Sequence, residues 1–331
     1  MTPIIHERND IVESEINIEK NVFSIGIMES GNRSDFHKII REFSIPEDAV
    51  EMYETEPVQL LSSSKNNEMI YRSNHTLEDR VRPVRGGLRI ARPIPNDPTK
   101  ETTCTFGFNI KLNGTDMWVT NSHCTYQFSN TGNTPFYQHT SSNSLSSRFV
   151  GTEFRDYQGS GSWRYSDAAI IDHSGGQSLE FAGIFATEYA GVIWGDFGSI
   201  DLVPYQNDYG QFEIIHEFTG PSDIFNGLQI NKVGRRTGWT LGFVKSTCMN
   251  ISNISDLNGW SLYCQIRSNV YSRGGDSGSP VFFYDHPPSS LNEPAALIGI
   301  HWGRTSNRSY HSYIDGIRFD LLQSGETMTT Y

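Results

Sequence analysis

A serine held between two glycines, in Gly275-Asp276-Ser277-Gly278-Ser279-Pro280, is the first residue of this sequence that chemistry singles out. A serine hydroxyl is a poor nucleophile at neutral pH. It needs a base to take its proton and hydrogen-bond donors for the oxyanion that forms when it attacks a carbonyl. A tight turn of this kind can supply the donors, because glycine lets the backbone bend until its N–H groups point into a site. The rest of the chain must then supply a histidine and a carboxylate. His123 stands in Asn121-Ser122-His123-Cys124, and Asp167 leads the apolar run Ala168-Ala169-Ile170-Ile171. An acid at the start of such a run tends to be buried, and a buried carboxylate requires a hydrogen-bonding partner. A lone histidine is more often structural or merely exposed; the serine turn that lacks a base is what sets His123 apart.

The elements that would position these residues read as strands and turns. Cys104–Ile110 alternates in polarity, Asn113-Gly114 is the strongest short-range hairpin signal, and Met117–Thr120 is the return strand. A hairpin turning there brings Cys104 and Cys124 side by side, close enough to bridge, with His123 next to them. Ile230–Val244 gives strand, turn, strand. Cys248 and Cys264 flank a polar loop containing Asn258-Gly259 and form a second candidate bridge. Ala296–Gly303 is a buried strand ending in His301-Trp302-Gly303. Ile314, Ile317 and Leu321 mark a short closing helix.

Upstream the pattern differs. Residues 1–33 show no periodicity and are expected as a flexible arm. Phe36, Ile39, Ile40 and Phe43 predict a short helix after Ser34-Asp35, with Pro46 stopping it. Strands are expected at Val50–Tyr53 and Val58–Leu61, a polar linker at Ser62–Asn67, a loop over 128–147 and a connection between halves over 200–225. The basic, Pro- and Gly-bearing Arg80–Gly87 reads as a boundary. It divides an acidic extension, 1–83, from the remainder, 84–331.

Composition agrees with this division. The 331 residues carry a net charge of −12, unevenly: residues 1–80 hold 16 acids and 8 bases, the rest 22 acids and 18 bases. Such a balance argues against nucleic acid as a partner. No run of 18 apolar residues suggests a membrane span, and Met1–Lys20 does not read as a secretory leader. No CxxC, HExxH, GxGxxG or P-loop pattern appears, so neither a metal nor a nucleotide cofactor is expected. Abundant Gly, Ser, Thr, Asn and aromatic residues favour β structure with many turns.

Taken in order, His123, Asp167 and Ser277, with spacings of 44 and 110 residues, resemble the triad of the chymotrypsin-like serine proteases. Residues 84–323 are similar to the secreted alpha-lytic protease and streptogrisin branch through three features: Val233-Gly234-Arg235-Arg236-Thr237-Gly238, the Cys248/Cys264 loop, and Tyr313-Ile314-Asp315-Gly316-Ile317. The sequence departs from that family at Asn121-Ser122, where two alanines are usual, and at Ser279, where glycine is commoner. Ser279 also breaks the rival Gly-x-Ser-x-Gly pattern of α/β-hydrolases.

The resemblance implies an all-β fold of two six-stranded antiparallel Greek-key barrels, about 84–205 and 206–323, with the active site between them and a small N-terminal extension. It implies a serine endopeptidase: Ser277 as nucleophile, His123 as base, Asp167 as its orienting acid, and the N–H groups of Gly275 and Ser277 as oxyanion hole. His301-Trp302-Gly303 resembles the edge that pairs with an extended substrate. Tyr271 stands where trypsin-type members carry an acid, so a Lys/Arg preference is not expected. His301 resembles the histidine of members that select Glu or Gln. Asp276 needs a cationic partner, with Arg273 or Arg236 as candidates. The expected partners are a protein or peptide substrate only, with the chain a monomer and the extension packed on the protease domain or removed as a pro-segment by cleavage near Arg80–Arg85. Two disulfides place it in an extracellular, oxidising compartment, where Asn32, Asn74, Asn113, Asn250, Asn253 and Asn307 form glycosylation triplets. The alternatives are a catalytically silent homologue serving as a binding module and an esterase using the same triad.

Overall fold

The computed structural model describes residues 10–17, 20–29, 31, 33–42, 45–60, 63–64, 75–95, 97–138, 148–157, 159, 161–174, 179–187, 200–205, 208–252, 254, 259–284 and 292–330. Asn32, Asn74, Asn253, Asn258, most of the 62–67 linker and residues 139–147 lie outside them.

The N-terminal region forms β1 (Ile11–Asn17), β2 (Val22–Ile27), helix α1 (Arg33–Glu42), β3 (Val50–Glu54), β4 (Gln59–Leu60) and β5 (Ser63–Ser64). Among the strands that follow are β6 (Arg89–Ile94), β7 (Asp97–Thr105), β8 (Phe108–Leu112), β9 (Thr115–Thr120), β10 (Pro135–Tyr137), β11 (Phe149–Arg155) and β12 (Ala169–Asp172). After them come β13 (Gln229–Gly234), β14 (Gly238–Ile251), β15 (Ser261–Ser268), β16 (Pro280–Phe283), β17 (Asn292–Arg304), β18 (Ser309–Tyr313), helix α2 (Ile314–Leu321) and β19 (Met328–Thr329).

Two large sheets result. One has the order β19-β8-β9-β12-β11-β10-β6-β7-β5. It opens on the expected hairpin: Leu112 pairs with Thr115, so Asn113-Gly114 is a two-residue turn with φ of 51° and 81°, the left-handed pair that such turns require. Phe106 stacks on Trp118 at 4.4 Å, and Phe136 meets Trp118 edge-on at 5.5 Å, filling the interior.

In the other sheet β13 to β18 close on themselves. β13 pairs with β14, β14 with β15, β15 with β18, β18 with β17, β17 with β16 and β16 with β13, all antiparallel. That is a six-stranded barrel, and its interior holds Ile230, Val244, Ile266, Val281 and Ile298. Helix α2 follows as expected, burying Ile314, Ile317 and Leu321.

Two expectations are corrected. The first 33 residues are not simply an arm: β1 and β2 extend the second sheet through β14, with Glu13 opposite Ile251. Their pattern was hidden because Glu13 and Ser14 are as buried as Ile11 and Val12, so polarity does not alternate. Glu13 accepts from Tyr53 and Tyr310 hydroxyls at 2.9 and 2.8 Å and pairs with Arg308, which is how a buried carboxylate is tolerated. Residues 200–225 are likewise more than a connection, since Gln211–Glu217 forms a strand parallel to β17.

Candidate active site

The three residues picked out by their types meet between the two sheets. His123 lies in a single 3-10 turn (Ser122–Cys124) directly after β9, Asp167 just before β12, and Ser277 in the turn before β16. Strands β9 and β12 are neighbours, Thr120 opposite Ala169, so the residues just past that pair converge. His123 Nδ1 lies 2.5 Å from Asp167 Oδ2, and its Nε2 lies 2.7 Å from Ser277 Oγ. Asp167 Oδ1 also accepts from the His123 backbone N–H at 3.0 Å. Both imidazole nitrogens are therefore engaged, one by an acid and one by a hydroxyl.

Asn121 and Ser122, where the sequence departs from the family pattern, hold this arrangement. Asn121 Nδ2 donates to Asp167 O at 2.6 Å. Ser122 Oγ donates to Asp156 Oδ2 at 2.6 Å, and Arg164, wholly buried, donates to Ser122 Oγ, Asp156 Oδ1 and Ala168 O. Arg164 thus ties the His123 turn to the Asp167 segment. Ser312 Oγ accepts from Asp167 N at 3.1 Å, and Asp320 on α2 accepts from the N–H groups of Tyr165 and Ser166. A charged pair within a Ser- and Gly-rich stretch gives no sign of this in sequence.

The serine turn is built as its glycine predicts. Gly275 has φ +103°, and a Cβ there would meet the Arg235 guanidinium at 2.5 Å. The N–H groups of Asp276, Gly278 and Ser279 are taken by Arg273 O, His301 O and Asp276 O. Those of Gly275 and Ser277 are the pair that the resemblance implies for an oxyanion. Asp276 is fully buried, and its cation is neither Arg273 nor Arg236. Lys232 on β13 lies 3.2 Å away, while Arg236, Thr237 and Arg273 contribute backbone N–H groups and Thr237 its hydroxyl. Burial would raise the Asp276 carboxyl, but Lys232 and these donors outweigh it and hold it below the ordinary carboxylate range. Burial lowers the Lys232 ammonium against the opposing pull of Asp276.

On the second barrel, Trp302 is wholly buried in the core and donates to Gln265 Oε1 at 2.9 Å. Tyr271 stacks against Arg273, whose Nε donates to its hydroxyl at 2.5 Å. His301 is buried. Its Nδ1 lies 3.1 Å from both Tyr310 O and His311 Nδ1, and His311 Nε2 lies 2.7 Å from Ser268 Oγ. Nε2 of His301 meets no partner among the described residues. Burial first, then His311 and Lys232, hold His301 well below the usual histidine range, and burial with Lys232 pushes His311 down to about 3. His311 was missed in sequence because Ser309–Tyr313 carries no motif.

Both cysteine pairs are bridged, with Cα atoms 6.3 Å apart for Cys104–Cys124 and 4.0 Å for Cys248–Cys264. Cys104, His123 and Cys124 gather possible metal-ligating atoms within 4.8 Å, but the two sulfurs are bonded to each other and offer no thiolate. No described helix is long and apolar enough to cross a membrane.

No protein-family model and no curated protein matches the sequence. Solved structures do. A glutamic-acid-specific serine protease described as using a histidine triad in substrate binding is 20% identical, covers 71% of this chain and 96% of its own, and has a TM-score of 0.46. A Nocardiopsis protease is 16% identical over 72% and 98%, TM-score 0.44. A Cellulomonas bogoriensis chymotrypsin is 17% identical over 75% and 99%, TM-score 0.44. An alpha-lytic protease homologue is also among them. In fold, this chain is similar to the chymotrypsin-like serine proteases: mostly β, in two sheets.

Proposed function

We propose that the chain is a serine endopeptidase. The observation that carries this reading is His123, held between the Asp167 carboxylate at 2.5 Å and the Ser277 hydroxyl at 2.7 Å. Asp167 keeps the proton on Nδ1, which leaves Nε2 free to take the Ser277 proton as Oγ attacks the substrate carbonyl. The oxyanion receives the N–H groups of Gly275 and Ser277. The imidazolium then passes its proton to the leaving amine, and water, deprotonated by the same imidazole, releases the acyl group from Ser277. One oxyanion donor is worth on the order of 10²–10³ in rate in comparable sites. The two disulfides support an oxidising, extracellular setting.

The same reading extends to specificity. Nε2 of His301 has no partner among the described residues, and a buried polar atom of that kind favours a ligand that completes it. His301 Nδ1 either donates to Tyr310 O, which leaves Nε2 an acceptor, or accepts from His311 Nδ1 while Ser268 donates to His311 Nε2. We propose that an acidic or amide ligand selects the second arrangement, in which His301 presents an N–H at Nε2 without any net charge in the relay. Such a donor suits the carboxylate or amide oxygen of Glu or Gln on the acyl side of the cleaved bond. Ser277→Ala removes peptide hydrolysis and fluorophosphonate labelling while the thermal unfolding profile stays unchanged; unchanged turnover in that variant refutes the assignment. A peptide library read at the acyl-side position tests the rest, and a preference for large apolar residues there counts against His301.

A further inference from the structure

Gly275 supplies one of the two N–H groups that the resemblance implies for an oxyanion, and glycine is the residue type least able to hold itself still. Such a donor works only when it is fixed before the charge forms. What fixes it comes from outside the turn. Thr105 Oγ1 on β7 donates to Gly275 O at 2.9 Å. The side of Gly275 where a Cβ would stand is covered by Arg235, since that Cβ would lie 2.5, 2.8 and 2.9 Å from Nη2, Nε and Cζ of the guanidinium. Arg235 follows β13 directly, and its backbone N–H donates to the same Thr105 Oγ1 at 3.2 Å. These contacts hold the carbonyl and the Cα of Gly275, and neither takes its N–H.

The guanidinium is itself clamped. Nη1 donates to Glu78 Oε1 at 2.6 Å and Nη2 to Thr103 Oγ1 at 2.7 Å. The Arg235 side chain is 3% exposed. Burial disfavours its charge, and Glu78 is the largest influence opposing that effect. Asp276 has Lys232 at 3.2 Å as its cation, so Arg235 is not required for that charge. Glu78 sits in a turn of its own. Thr76 N and Oγ1 donate to Asp79 Oδ2 at 2.8 and 3.0 Å, Asp79 N donates to Thr76 O at 3.0 Å, and Glu78 N donates to Thr76 Oγ1 at 3.2 Å. The neighbouring Leu77 anchors this turn: its side chain lies in the main core, its N–H donates to Ile200 O, and its carbonyl accepts from Arg89 N.

We propose that Arg235 and Glu78 are positioning residues for the serine turn. The guanidinium, clamped by Glu78 and Thr103, is a wall that keeps the Gly275 peptide from rotating, so that its N–H is aimed before an oxyanion arrives. Glu78 falls within 1–83, the stretch read from sequence as an extension, and on this proposal it belongs to the catalytic unit. The proposal rests on the endopeptidase reading for the oxyanion, and on the Glu78–Arg235–Gly275 contacts for the wall.

The test uses the full chain. Glu78→Gln keeps the shape and removes the charge at a side chain 33% exposed. It is expected to lower kcat about tenfold or more with KM nearly unchanged, and Arg235→Met to lower it by about 10², the worth of one oxyanion donor. Because the two residues act as one clamp, the double variant should lose no more than Arg235→Met alone; losses that multiply overturn the proposal. A peptide trifluoromethyl ketone forms an oxyanion on Ser277, and its affinity should fall in step with kcat/KM. The matching peptide alcohol forms none and should bind as before. Equal weakening of both ligands, or a lowered Tm with unchanged kcat, overturns the proposal. If Arg235→Met does not fold, Glu78→Gln decides through the same ligand pair. If the parent chain cleaves no peptide and takes no fluorophosphonate, the endopeptidase reading fails. Amide hydrogen exchange at Gly275 then decides the wall: exchange about tenfold faster in Glu78→Gln supports it, and equal exchange overturns it.

Discussion

Two buried histidines face the Ser277 turn from opposite sheets, and they are built differently. His123 has a carboxylate on one nitrogen and a hydroxyl on the other. His301 has a second imidazole and a backbone carbonyl on one nitrogen and, among the described residues, no partner on the other. A carboxylate partner stabilises an imidazolium, so His123 can hold a proton during a reaction. An imidazole partner with Lys232 nearby does the reverse, and both His301 and His311 are held neutral. The same side chain thus serves as a proton carrier in one region and as a fixed hydrogen-bonding group in the other, and the neighbour decides which.

The comparison can be broken at its strongest point first. Asp167→Asn keeps the shape but loses the charge and the tautomer control, and kcat is expected to fall about 10⁴-fold with the substrate preference unchanged; steady-state kinetics on one peptide would show it. Lys232→Met leaves Asp276 buried without its cation, which is expected to cost about 3–5 kcal/mol in urea unfolding. A loss under 1 kcal/mol would mean that the backbone donors alone hold Asp276. His301→Leu removes the proposed Nε2 donor and should reduce the proposed preference for Glu over Phe roughly 10- to 100-fold, the worth of about 1.5–3 kcal/mol for a hydrogen bond to a charged group, with hydrolysis of the Phe peptide kept.

The remaining effect is on pH. The folded His311 pKa, about 3, is depressed from an unfolded value near 6.5. Between those limits the unfolded chain binds a proton that the folded chain refuses. Stability is therefore full above pH 6.5 and drains as the pH falls towards 3, by about 1.4 kcal/mol per unit for this one group. His301 acts in the same direction. In His311→Gln the slope between pH 4 and 6 should be shallower by about one proton, and an unchanged slope would contradict the neutral pair.

Much of the site was legible in sequence because its chemistry needs fixed residue types near glycine and strand ends. Ser277, His123 and Asp167 could be picked out by type and order, and Asn113-Gly114 by the φ values its turn demands. What was hidden was whatever depends on long-range burial. Lys232 stands between Asn231 and Val233, and all three are buried, so no alternation marks the lysine as the inward partner of Asp276. Glu13 hides β1 in the same way. Arg164 and His311 sit in segments without a motif, and their roles come from contacts made across the fold.

Asp167 is positioned by Ser312, 145 residues later in the chain, and its neighbours Tyr165 and Ser166 by Asp320. During synthesis His123 and Asp167 emerge long before the residues that hold the acid in place, and Ser277 also precedes them. A ribosome-bound chain that has exposed all three reacting residues still lacks the seat for Asp167, so assembly of the site is timed by the last strand and helix of the second barrel.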